Sequence, residues 1–272
     1  MKIKYSKGFY IIILAVILVI TIVPLFWMIV LSITPKNLLF KSVLPVVFSL
    51  KNYISVIGDK KVMLAYRNSW IIAGSVALIS VFLGSLSGYG LSRLKFKFKD
   101  HYILFILITQ MFPLTLLVIA YFKIASNIGL YNSVLTLALV DSTLTLPFVT
   151  MLMKSTFDSI SPALEEVAMI DGCSRMGAFI RISLPLASPG LVAAGFFAFL
   201  KGWGEYLYGL TLTGDTTARP ITVELGIRLG HYATAWGEMM AISILMSVPI
   251  FIMFGIFQNN FLKGFTTGAL KE

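Results

Sequence analysis

The chain has 272 residues, of which 58% are hydrophobic and only 12% charged, and its mean hydropathy is +0.90. A soluble domain carries about 25% charged residues, so the composition excludes an ordinary water-soluble fold; the 22 Lys and Arg against 12 Asp and Glu are read as membrane topology rather than as nucleic-acid binding. One cysteine excludes an intramolecular disulfide and a cysteine-cluster metal site, and His101 and His231 lie too far apart to form a zinc-binding pattern.

A helix needs about 20 mostly apolar residues to cross a bilayer. Six charge-poor runs satisfy this within one all-α domain, 1–272, and predict membrane helices at 8–34, 68–92, 102–122, 132–153, 187–212 and 239–262. The first has a basic start like a signal peptide. Its apolar run is longer than the 7–15 residues or so of a signal and no A-x-A-like site closes it, so it is read as an uncleaved anchor. Lys2, Lys4 and Lys7 before the first span, and Arg93, Lys95, Lys97 and Lys99 after the second, put both termini in the cytoplasm. The loop between the first two spans departs from this rule. It holds Lys36, Lys41, Lys51, Lys60, Lys61 and Arg67 on the outer side, where its length makes charge less decisive.

Helices in lipid associate through small residues. Gly84 and Gly88 in the second span, and Gly190, Ala194, Ala198 and Gly202 in the fifth, form such stripes. They serve either the chain's own bundle or a seam to a partner. Pro24, Pro113, Pro147 and Pro249 are expected to kink their spans.

The cytoplasmic stretch 154–186 is not linker-like. Ser161-Pro162 is an N-cap followed by a first-turn proline, Glu165 and Glu166 complement the helix dipole, and Gly172 ends the helix, so a short helix is predicted over Pro162–Asp171. Leu164, Val167, Ala168 and Asp171 share one face. A second short helix is predicted around Met176–Ile182, before Pro185. Two-turn helices are not stable alone in water, and an acidic one is ill-suited to a membrane surface, so docking in the groove of a cytoplasmic protein is the better reading.

The run from Pro162 through Glu165-Glu166-Val167-Ala168 and Asp171-Gly172 to Ile182-Ser183-Leu184-Pro185 and Pro189 resembles the EAA motif of ABC-importer permeases. Gln110-Met111-Phe112-Pro113, Gly129-Leu130, Trp203-Gly204-Glu205 and Thr266-Thr267-Gly268-Ala269-Leu270-Lys271 extend the likeness. The pattern is similar to the smaller six-span permease of the maltose-type carbohydrate-uptake branch. That resemblance implies a type I ABC importer permease fold in a bacterial or archaeal cytoplasmic membrane. It also implies a second permease subunit as a heterodimer partner, two cytoplasmic ATPase subunits and an extracytoplasmic sugar-binding protein. Glu165, Glu166, Ala168, Asp171 and Gly172 are the expected ATPase-coupling residues. No cofactor is expected in this chain, ATP and Mg belonging to the partner ATPase. Val167, Cys173 and Gly204 stand where the motif usually has alanine, alanine and asparagine.

Polar residues inside the membrane are costly and call for a reason. Asp141 is either on a water-filled sugar path or paired with a neighbouring helix. Lys201 and Glu205, four apart, can pair with each other. Trp203, Tyr206 and Tyr208 suit either sugar stacking or an interfacial aromatic belt, and Gln110 is a further candidate for the path. The loop at 214–237, which contains His231, is either a connector or a reach toward the binding protein. The chain has no G-x-x-x-x-G-K-[ST] loop and no metal-ligand or catalytic constellation, so it reads as a non-catalytic subunit. The alternative function is a proton-coupled secondary transporter using Asp141. Which sugar is carried does not follow from the sequence.

Overall fold

A computed structural model describes residues 7–41, 47–231 and 235–269. Its helices, in chain order, are α1 (Lys7–Ser32), α2 (Lys51–Gly58), α3 (Lys60–Arg93), α4 (Lys99–Met111), α5 (Leu114–Asn127), α6 (Val134–Asp158), α7 (Ala163–Ile170), α8 (Arg175–Ala178), α9 (Leu184–Leu186), α10 (Ser188–Gly204), α11 (Leu207–Leu212), α12 (Ile221–His231) and α13 (Trp236–Ala269). A 3₁₀ turn, Lys36–Leu38, and a π turn, Phe179–Ser183, complete the set. No strand occurs among the described residues. This follows from the solvent: in hydrocarbon each backbone N–H must find its carbonyl within its own segment. Four helices are long and apolar enough to cross a membrane, and six spans result if each of two bent pairs counts as one.

The chain divides into two units. In the unit formed by Met1–Met63 and Leu225–Pro249, Asn52 closes the end of α1 by donating to the carbonyls of Ser32 at 2.9 Å and Thr34 at 3.1 Å. Ser55 donates to Glu238 at 2.8 Å, and Asp59 pairs with Arg228. Partial burial opposes charge on Asp59, but the Arg228 guanidinium and the Lys61 amide hold its carboxyl below the usual range. The large apolar side chains of α1, among them Ile12, Leu14, Ile17, Val19 and Ile20, are exposed. Such a face is tolerable in lipid and not in water.

In the unit formed by Leu64–Glu224 and Ile250–Glu272, the core joins α3, α5, α6, α10, α11 and the π turn through Val76, Ala125, Leu137, Val149, Met153, Phe157, Phe179, Ala194, Ala198 and Leu212. The small-residue stripes are seams of this bundle. A Cβ added to Gly88 would sit 2.8 Å from Met153 Cβ and 2.7 Å from the Lys154 amide nitrogen. One added to Gly202 would sit 3.1 Å from Ala73 Cα, and one added to Gly190 would collide with Thr156. Of the two roles open to the stripes, packing within the chain is the one they fill.

Two predicted spans are broken. Where 102–122 was expected to be one kinked helix, α4 and α5 meet at 95°. Pro113 lacks an amide hydrogen and forces its predecessor toward extended backbone. Phe112 (ψ 130°) and Pro113 (ψ 116°) are accordingly both non-helical. The segment 187–212 stops at Gly204, because Glu205 is extended (ψ 129°) before α11 begins. Pro24, Pro147 and Pro249, by contrast, lie inside continuous helices. The other helices differ from the predicted spans chiefly at their ends: α3 begins at Lys60, α6 ends at Asp158, and α13 covers Trp236–Ala269. Part of the predicted 214–237 loop is helical, as α12.

Candidate functional site

The predicted helix–turn–helix in 154–186 is formed by α7 and α8, with the π turn and α9 carrying it into α10. Gly172 has φ +90°. The Cys173 amide bonds Ala168 O at 2.9 Å and the Gly172 amide bonds Met169 O at 3.1 Å, the paired bonds of a Schellman stop. Glycine is needed here because an L side chain is strained at positive φ. On the far side of the turn, Ser174 Oγ accepts from the Gly177 amide at 3.1 Å and caps α8.

The two adjacent glutamates, expected to act together at a docking surface, point to different environments. Glu166 is exposed. Glu165 is buried, at 5% exposure. Its Oε1 accepts from Arg93 Nε at 2.8 Å and Ser183 Oγ at 2.6 Å, and its Oε2 from Tyr89 Oη at 2.7 Å. Arg93 also donates through Nη2 to Ile160 O at 2.8 Å and through Nη1 to Ser92 Oγ at 2.9 Å. Ser92 in turn donates to Asp158 at 2.7 Å, which Lys154 pairs at 2.6 Å. Burial would raise the Glu165 carboxyl, but the bonds from Ser183, Tyr89 and Arg93 outweigh it and hold the group below the usual carboxylate range. Glu165, named with the coupling residues, is turned inward as a clamp between α7, the end of α3 and the π turn. Leu164, Val167 and Ile170 of α7 are exposed, Ile170 by 84%. Asp171 is exposed and Ala168 half-buried.

A second region lies between α4, α5, α6 and α10. A cavity of about 440 Å³ is lined by Thr109, Gln110, Tyr121, Asp141, Lys201 and Glu205 among others. The α4–α5 break borders it through Thr109, Gln110 and Leu114. Irregular backbone at membrane depth is tolerated where it lines such a space. Asp141 is 3% exposed, and neither carboxyl oxygen has a hydrogen-bond partner. The expected Lys201–Glu205 pair is not formed. Glu205 Oε1 accepts from the Tyr208 amide at 2.8 Å, and Lys201 Nζ lies over the Phe197 ring at 5.6 Å. Because the helix ends at Gly204, the i,i+4 geometry that pairing requires is lost.

Of the six path candidates, Gln110, Asp141 and Glu205 share this cavity. Trp203 is packed instead, stacked on Phe199 (5.5 Å, 16°) and edge-on to Trp70 at 5.2 Å. Tyr208 is buried and donates to Leu114 O at 2.7 Å, which pins α11 to the start of α5. Tyr206 is exposed and outside the lining. The sequence reading missed Thr109 and Tyr121 as lining residues. Pro113 was the available signal, but a kink and a right-angle break look alike in sequence. His231 lies where side chains are not described, and no group of three or more metal-ligating side chains occurs among the described residues.

A family model described as "Binding-protein-dependent transport system inner membrane component" matches residues 80–267. The trehalose/maltose transport system permease protein MalG of Thermococcus litoralis is 35% identical over 257 residues, covering 93% of this chain and 92% of the relative. The inner membrane ABC transporter permease protein YcjP of Escherichia coli is 32% identical, covering 95% and 94%. The sulfoquinovosyl glycerol transport system permease protein SmoH of Agrobacterium fabrum is 33% identical, covering 82% and 78%. Among solved structures, a chain from a bacterial ABC transporter involved in the import of the acidic polysaccharide alginate superposes with a TM-score of 0.80 at 20% identity, covering 94% of this chain and 98% of that one. A second, from the alginate transporter in complex with an alginate pentasaccharide-bound periplasmic protein, gives 0.64 at 18% identity, covering 90% and 92%.

Proposed function

The chain belongs to the inner-membrane components of binding-protein-dependent transport systems, and on that premise we propose that it is one permease half of an ATP-driven importer for a sugar or oligosaccharide. Its type I ABC importer permease fold would cross the cytoplasmic membrane of a bacterium or archaeon six times, with α4–α5 as one broken span and both termini inside. A second permease subunit would complete the path, two ATPase subunits holding ATP and Mg would drive it, and an extracytoplasmic binding protein would deliver the sugar. Relatives named for trehalose/maltose and arabinooligosaccharide transport support that substrate class. The proton-coupled alternative has no support from the family, whose members work with a binding protein.

One observation carries the coupling assignment. The α7 helix exposes Leu164, Val167 and Ile170 beside Glu166 while Glu165 clamps its other side. An exposed apolar face rimmed by charge is built to be covered. Closure of the ATPases would displace α7, and the clamp would pass that displacement through Arg93 to the end of α3 and through Ile160 to the end of α6. Glu166 would make the charged contact, and Gly172 would hold the turn.

The test is co-purification with the partner permease and ATPase, followed by ATPase and uptake assays. Glu166→Ala and Gly172→Val are each expected to lower binding-protein-stimulated ATPase activity by about tenfold, equivalent to about 1.4 kcal/mol of coupling. Proton-driven uptake by the purified chain alone would overturn the reading.

A further inference from the structure

The connection between α3 and α4 alternates cations with apolar side chains: Arg93-Leu94-Lys95-Phe96-Lys97-Phe98-Lys99. Leu94, Phe96 and Phe98 are exposed, Phe98 by 64%, and Lys95 and Lys97 are exposed beside them. Arg93 is committed inward, to Glu165 and Ile160 O. Lys95, Lys97 and Lys99 enter no salt bridge among the described residues, and Lys97 Nζ lies 5.7 Å from the centre of the Phe98 ring. Asp100, in the first turn of α4, is the acid of this stretch. Asp158 of α6, within electrostatic reach of Lys99, is already paired with Lys154.

The position of these groups narrows what can meet them. Residues 94–98 alone separate α3 from α4. At up to about 3.6 Å per residue, such a chain rises and returns by about 9 Å at most, comparable with the roughly 5–8 Å headgroup layer beside the hydrocarbon. On α4, the apolar side chains of Leu104 and Phe105 are exposed, and Leu104 lies only about 7.5 Å along the helix axis from Lys99. The connection is therefore held at the membrane surface. Topology alone would require the cations and not the rings. Exposed rings gain nothing in water, whereas at a lipid interface they settle against the acyl boundary while long lysine stems carry their ammonium groups to phosphate. A soluble protein is the poorer fit, because the α7 face that suits one is apolar and acidic and stands in a much longer loop.

We propose that residues 94–99 form a binding surface for acidic phospholipid headgroups in the leaflet where α3 ends, with Lys95, Lys97 and Lys99 meeting phosphate and Phe96 and Phe98 seated at the acyl boundary. The surface begins one residue after Arg93, so lipid held there fixes the membrane depth of the cation that clamps Glu165.

The complete importer, natural or carrying Phe98→Trp, is reconstituted in dioleoylphosphatidylcholine nanodiscs containing brominated phosphatidylglycerol or, in parallel, brominated phosphatidylcholine. Bromine quenches an indole only at close range, and the natural complex, whose chain holds Trp27, Trp70, Trp203 and Trp236, supplies the background. The indole introduced by Phe98→Trp should be quenched by both lipids, with an apparent affinity about fivefold or more in favour of phosphatidylglycerol, the ratio that about one lysine supplies at a charged surface. Lys95→Gln, Lys97→Gln and Lys99→Gln together should bring that ratio below about twofold, and the matching Arg replacements should keep it. Raising the salt from about 0.1 M to about 1 M, which shortens the Debye length from about 10 Å to about 3 Å, should lower the ratio in the natural lysine background. Equal affinity for the two lipids, or a preference that survives the Gln replacements, overturns the proposal. An indole that neither lipid quenches, in a complex that still hydrolyses ATP, also overturns it and means that a protein surface covers the connection. The proposal does not depend on what is transported: a chain that assembles with no ATPase overturns the import reading, and the lipid ratio is then read on the full chain alone.

Discussion

Glu165 in the loop and Asp141 in the bundle are carboxyl groups of nearly equal burial, exposed by 5% and 3%, in opposite surroundings. Glu165 receives three side-chain donors, one of them a guanidinium, whereas Asp141 receives none. Burial alone therefore does not separate a satisfied acid from an unsatisfied one. A satisfied carboxylate fixes the geometry of its neighbours, and an unsatisfied one is a cost that the fold bears. The loop clamp ties α7 to the end of α3 and to the π turn, and the bundle acid has no such tie.

The contrast can be broken most severely at Arg93. Arg93→Ala strips the buried Glu165 of its cation and leaves Ile160 O without that donor; a loss of about 3–5 kcal/mol is expected, read as a fall in the unfolding temperature of the purified complex together with loss of coupled uptake. Gly88→Leu tests the seam beneath the clamp. Overpacking against Met153 and Lys154 should cost about 1–3 kcal/mol in the same measurement, and an unchanged melting profile would mean that α3 and α6 are less closely packed than described.

Matched amides sharpen the comparison. Glu165→Gln should destabilise by about 1.5–3 kcal/mol, since bonds to a charged group are weakened. Asp141→Asn should leave stability unchanged or raise it by about 1 kcal/mol, because it removes an unpaired buried carboxyl. If both fall equally, the distinction between the two acids fails. The smallest expected effect is on pH. A carboxyl held below its ordinary value stabilises the fold fully above that value, 4.5 for a glutamate, and loses this as pH falls through its folded value. Melting temperature should therefore drop below about pH 4.5 in the natural chain, and Glu165→Gln should flatten that part of the profile.

Much of the 154–186 loop was legible along the chain because its determinants are local. A Ser-Pro start, paired acids in the first turn and a glycine stop specify α7 through caps and backbone preference, and the EAA-like spacing lies within one stretch. What Glu165 does was not legible. Its three partners come from residues 89, 93 and 183, and no local pattern distinguishes it from Glu166. The path candidates divided for the same reason. Trp203 and Tyr208 look amphipathic in sequence, but their rings are taken up by α3 residues and by the α5 start, while Thr109 and Tyr121 reach the cavity only because the chain breaks at Pro113.

By itself, the sequence determined that this is a helical membrane chain carrying a short acidic helix in a connecting loop, since hydropathy, capping and helix termination depend on neighbours within a few residues. Only the tertiary structure decided which buried acid is clamped and which is left open, which glycines are seams, and where two helices break around a cavity. Those properties depend on donors and van der Waals surfaces brought together from positions tens of residues apart, and a one-dimensional pattern does not record whether a partner is present.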